Sequence, residues 1–182
     1  MQRKAKSIAL CAVLVALTVV FGAIPYAFLI PVLLAAVTTD FKTSFVVSAF
    51  FGVVSLLYSL MGGSVVAVAF VANPWIPIVG RLLVGPAARG AYVLIDKAIK
   101  KEGKLKSVLP RSVGAAVGSI TNTAIVVSLL VLFAPNAGLE DVTVLVYVPV
   151  MLISGAIELA VNVLCVPPIA LAVDKVRARN GG

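Results

Sequence analysis

Apolar residues run through this chain in long blocks, and nearly all of the charged residues fall between the blocks rather than inside them. The blocks lack the polar stripe of a soluble amphipathic helix, which predicts helices that are apolar all round. An α-helix rising 1.5 Å per residue needs roughly 20 apolar residues to cross a hydrocarbon core about 30 Å thick. The pattern predicts six such spans, at about residues 7–22, 26–39, 43–60, 76–95, 110–133 and 143–173. Breakers punctuate them. Pro25 ends the first, Asp40 and Lys42 mark a short turn, Met61-Gly-Gly-Ser64 closes the third, and Asn73-Pro74-Trp75 precedes the fourth. A lysine-rich loop covers Asp96–Lys106 and an acidic loop with Glu140 and Asp141 covers Ala134–Val142. The last block is long enough to be tilted, or broken near Pro167-Pro168. The expected fold is an all-α, integral-membrane six-helix bundle in one transmembrane domain, 1–182.

Composition agrees, with 62% hydrophobic and 12% charged residues and a mean hydropathy of +1.16. Thirteen of the fifteen Lys and Arg lie in the N-tail, the second connection, the fourth connection with its flank Arg111, and the C-tail. The first, third and fifth connections hold none, and the two sets alternate as six spans require. Both termini are therefore expected to be cytoplasmic under the positive-inside rule. The net charge of +8 belongs to membrane flanks, which argues against nucleic acid as a partner and for the lipid bilayer. The basic N-tail and first apolar block look like a signal peptide, but Gly22-Ala-Ile-Pro-Tyr26 is a poor cleavage site and retention as the first helix is expected.

Chemistry is sparse. Without histidine the chain lacks the commonest general base and zinc ligand, and Cys11 and Cys165 fall in apolar blocks where packing is their expected role. There is no GxxxxGK[ST] run to hold ATP. An enzyme is not expected, since Glu158 is the one acid well inside a block. The intramembrane polar set is Arg81 and Arg89 in the fourth span, Asn122 in the fifth, and Glu158 and Asn162 in the sixth. Such groups are costly in lipid and should face the bundle interior. Two readings are open: Arg89 pairs with Glu158 and the asparagines bond neighbouring helices, or the set lines a polar cavity for a solute. Glu158 and Asn162 are four apart and stack on one face; Arg81 and Arg89, a little over two turns apart, also point roughly together.

Pro77-Ile-Val-Gly-Arg81-Leu-Leu-Val-Gly85, the lysine-rich loop, Gly118-Ser-Ile-Thr-Asn122-Thr123, and a final helix with Glu158 and Asn162 before Val-Pro-Pro resemble the S-component of energy-coupling factor (ECF) vitamin transporters. The resemblance implies a subunit of a prokaryotic cell membrane that captures a water-soluble vitamin or precursor near the outer face. Pantothenate is the first expectation, with folate or riboflavin behind. The partners it implies are a transmembrane coupling protein and two cytoplasmic ATPases, which hydrolyse ATP; the chain itself needs no cofactor or metal. The small residues Ala5, Ala9, Ala12 and Ala16 on the first helix would dock the coupling protein. Arg81 would attract a carboxylate, Asn122 and Thr123 would bond polar substituents, and Glu158 and Asn162 would complete the pocket or hold Arg89. The segment between spans three and four would form a lid hinged at Gly62 and Gly63, bringing Asn73 and Trp75 to the ligand. A channel or facilitator would need polar residues on several helices at all depths, and the polar set is confined to spans four to six. A small structural membrane subunit is the other alternative.

Overall fold

The computed structural model describes residues 2–24, 26–62, 64–100, 103–133, 135, 138 and 141–179. All regular structure among them is helical: α1 (Gln2–Phe21), α2 (Ile30–Thr38), α3 (Phe41–Met61), α4 (Val65–Ala72), α5 (Trp75–Leu82), α6 (Val84–Ala98), α7 (Lys104–Phe133) and α8 (Asp141–Arg179). α5 and α6 meet at Leu83 and continue as one rod, Trp75–Ala98, so there are seven rods where six were expected. Four rods are long and apolar enough to cross a membrane: α3, the α5–α6 rod, α7 and the Leu145–Arg179 part of α8.

The first third of the chain departs from the expected spans. The apolar part of α1, Ile8–Phe21, falls short of membrane-spanning length. α2 has 9 residues, about 14 Å of helix at the standard rise. Instead of facing lipid it is the core: every residue from Ile30 to Val37 is buried, with α1, α3, α6, α7 and α8 packed around it. Pro31 sits in its first turn, where a missing N–H costs nothing. At its other end the Thr38 and Thr39 hydroxyls donate to the carbonyls of Leu34 and Ala35, both at 2.6 Å. Asp40 then caps α3, its carboxylate accepting from the Lys42 N–H at 3.2 Å and the Thr43 hydroxyl at 2.6 Å.

The break between α5 and α6 follows from Pro86. Its ring clashes with the carbonyl four residues back, that of Leu82, and it supplies no N–H. The neighbouring Gly85 N–H donates to Ser48 Oγ on α3 at 2.8 Å, the kind of side-chain rescue that tolerates helix breaks in apolar surroundings. A Cβ at Gly85 would lie 2.3 Å from that oxygen and 2.7 Å from the Ser44 carbonyl, so only glycine permits this approach. Gly114 and Gly118 work likewise on α7, where a Cβ would meet the Ala88 carbonyl or the Ala88 Cβ at 3.0 Å. Small residues four apart let helices close on each other where lipid offers no hydrophobic drive. α8 runs unbroken through Pro167 and Pro168, so of the two alternatives for this long block, tilt or a break, the break does not occur.

One end of the bundle gathers charge. Arg111 of α7 pairs with Asp174 of α8 at 2.5 Å. Arg89 of α6 and Arg177 of α8 donate to the Ala36 and Thr38 carbonyls, at 3.2 and 2.7 Å. Cations at a helix C-terminus satisfy its orphan carbonyls and oppose its dipole.

Candidate functional site

At the other end lies a cavity of about 460 Å³. Its walls are the segment after α1 (Gly22, Ile24, Tyr26, Phe28), Val66 and Phe70 of α4, Arg81 of α5, Asn122, Thr123 and Val126 of α7, and Tyr147 to Glu158 of α8. Four of the expected site residues, Arg81, Asn122, Thr123 and Glu158, meet here.

Arg81 is 8% exposed. The break after α5 ends that short helix one turn past Pro77 and leaves the arginine in its last turn. Its guanidinium lies over the rings of Phe51 and Phe70, 5.2 Å from each centroid, a cation–π bracket. Nε and Nη1 are buried without a hydrogen-bond partner. Glu158 is the carboxylate whose charge reaches it, yet the two do not close to an ion pair. Asn122 adjoins Glu158, and its Oδ1 is also buried without a partner. Thr123 fills the notch left by Gly155, where a Cβ would come 2.6 Å from the threonine Oγ1.

No protein-family model, no curated protein and no solved structure matches this chain. The geometry of its own residues therefore carries the functional argument.

The remaining expected residues lie elsewhere. Asn73 is buried at the end of α4 and its Nδ2 donates to the carbonyls of Ala69 and Phe133, at 3.3 and 3.4 Å. Trp75 stacks edge-on against Phe133, with centroids 4.5 Å apart, outside the cavity wall. Asn162, one turn beyond Glu158, is fully buried and bonds Ser119 Oγ at 3.0 Å, which ties α8 to α7. Arg89 does not reach Glu158: it joins Asp40, Asp96, Lys97 and Asp174 around a second cavity of about 570 Å³ at the charged end, over the Tyr92 ring. The expected Arg89–Glu158 pair is thus replaced by an Arg89 contact to the end of α2, and Glu158 stays in the first cavity.

On α1, Ala9, Ala12 and Ala16 are exposed, and the last two line a groove shared with Val46 and Phe50 of α3. The side chain of Ala5 lies outside the described residues, as does Gly63 of the expected hinge. Cys11 and Cys165 are free and half-buried.

Several wall residues carried no flag in the sequence. Tyr147, Met151 and Ser154 precede Glu158 at spacings of four, three and four, one helical face of α8, and that spacing from Glu158 could have found them. Tyr26 holds a left-handed φ of 60°, rare for an aromatic residue and concentrated at functional sites in folded proteins.

Proposed function

We propose that this chain is the substrate-capture subunit of an ECF-type importer, held in a prokaryotic cell membrane with both termini cytoplasmic. The observation that carries the reading is Arg81: a permanently charged group, buried between two aromatic rings, with two nitrogens unpartnered and a cavity in front of it. Buried guanidinium nitrogens left without a hydrogen-bond acceptor are costly, and an anionic solute entering the cavity supplies one. A volume of about 460 Å³ suits a small ligand. Asn122, Thr123 and Glu158 are the groups that would bond its polar substituents. The first connection, which holds no Lys or Arg, lines this cavity, and the second, with Lys42, lies by the opposite one, which supports an outward-facing cavity. Exposed Ala9, Ala12 and Ala16 support docking of a transmembrane coupling protein on α1. Its cytoplasmic ATPases would supply the energy.

The test is calorimetric titration of the purified chain with pantothenate, folate, riboflavin, biotin, thiamine and cobalamin, and with small amino acids. The reading expects one saturable ligand, bound roughly 30-fold or more weaker by Arg81→Gln. Heat from none of them would count against capture.

A further inference from the structure

The cavity contains one permanent cation and one carboxylate, Arg81 on α5 and Glu158 on α8. Each lines the cavity within electrostatic reach of the other, but no salt bridge closes between them, so both keep hydrogen-bonding capacity for a ligand. Arg89, the other arginine of that rod, is committed to the Ala36 carbonyl at the far end, where Lys97 also lies, and neither brings a second positive charge to this cavity. The rest of the lining is largely apolar, with Phe70, Val126 and Met151 among it. The site therefore presents one group of each sign on a largely apolar wall.

From this arrangement we infer that the cargo is a zwitterion, carrying an anionic group for Arg81 and an ammonium group for Glu158. The inference rests on the capture reading and narrows its cargo. A plain carboxylate would satisfy the guanidinium but bring a second negative charge into a small, weakly screened space already holding Glu158. A plain amine would satisfy Glu158 and leave Arg81 as it stands. A ligand with both charges completes two pairs and adds no net charge, so the site remains neutral overall when full. Asn122, adjoining Glu158 with an unpartnered Oδ1, adds an acceptor at the ammonium end. An ammonium has three donors and can use both. Simple acids such as pantothenate fall behind amino-acid-like compounds on this argument.

The deciding comparison varies the ligand and not the protein, so misfolding of a variant cannot confuse it. The intact chain in detergent is titrated calorimetrically with the twenty standard L-amino acids and γ-aminobutyrate. Each compound that binds is compared with its N-acetyl derivative, which lacks the cation, and its carboxamide, which lacks the anion. Pantothenate, folate, riboflavin, biotin, thiamine and cobalamin are run beside them. Saturable binding by an amino acid, with both derivatives weaker by roughly 100-fold or more, is the expected result, because truncating one partner of a buried charge pair is costly. Glu158→Gln should then erase the penalty for N-acetylation while Arg81→Gln erases the penalty for the carboxamide. Binding by one of these vitamins and by no amino acid, or by an N-acetyl derivative as tightly as by its parent, overturns the zwitterion and leaves capture standing. Binding by none of these compounds overturns both.

Discussion

If Arg81 waits for a ligand rather than holding the fold, removing its charge should stabilise the empty protein while abolishing binding. The perturbation is Arg81→Met in a Glu158→Gln background, so that no carboxylate is left facing an empty slot. A charge buried to this depth carries an effective desolvation penalty of several kcal/mol. The Phe51 and Phe70 rings, both 5.2 Å away, return about 2–4 kcal/mol together. Methionine keeps sulfur–aromatic contacts worth roughly 0.3–1.5 kcal/mol each in the same slot. The balance favours the double variant over Glu158→Gln alone by about 1–3 kcal/mol. Thermal denaturation in one detergent reads this directly, at roughly 2–4 °C per kcal/mol for a chain of this length. A double variant that melts lower than Glu158→Gln by the same margin would refute the reasoning, because Arg81 would then be a structural strut.

Gly85→Ala pushes a Cβ to 2.3 Å from Ser48 Oγ and 2.7 Å from the Ser44 carbonyl; it should cost about 1–3 kcal/mol by denaturation, and Ser48→Ala should rescue only part of it because the backbone clash remains. Asn162→Ala breaks the 3.0 Å bond to Ser119 and should cost roughly 1 kcal/mol, with no change in calorimetric ligand affinity, since Asn162 is outside the cavity wall. The hydrogen bond from the Thr43 hydroxyl holds the Asp40 carboxyl below its ordinary value. A group whose folded value is depressed stabilises at neutral pH and loses that contribution as pH falls through the folded value. Asp40→Ala should therefore cost about 1 kcal/mol at pH 7 and flatten the acid limb of a stability–pH curve.

Much of the later chain was legible because its charge pattern is sharp. α3, α7 and α8 follow blocks bounded by Asp40, Lys104–Lys106 and the basic C-tail. Arg81, Asn122, Thr123 and Glu158 stood out because polar groups among apolar residues must face inward, and they do converge. α2 was not legible: Ile30–Val37 would read the same whether it faced lipid or a protein core. Its burial is decided by five neighbouring helices, which leave no mark in its own residues. The α5–α6 break was signalled by Pro86 and missed because the apolar block continues through it. Arg89 was misassigned for a different reason. Pairing by charge favoured Glu158, but the Ala36 carbonyl at the end of α2 is the acceptor within hydrogen-bond reach of Arg89.

The two arginines of the α5–α6 rod permit the most direct test of the central claim, that the Arg81–Glu158 cavity is the site of solute capture. Calorimetric affinity for the best-binding compound should be measured in the wild-type chain, Arg81→Gln and Arg89→Gln under one set of conditions. The account predicts a loss of roughly 30-fold or more in Arg81→Gln and retained affinity in Arg89→Gln, whose side chain serves the other cavity. Equal affinity in wild type and Arg81→Gln, or a loss confined to Arg89→Gln, would contradict it.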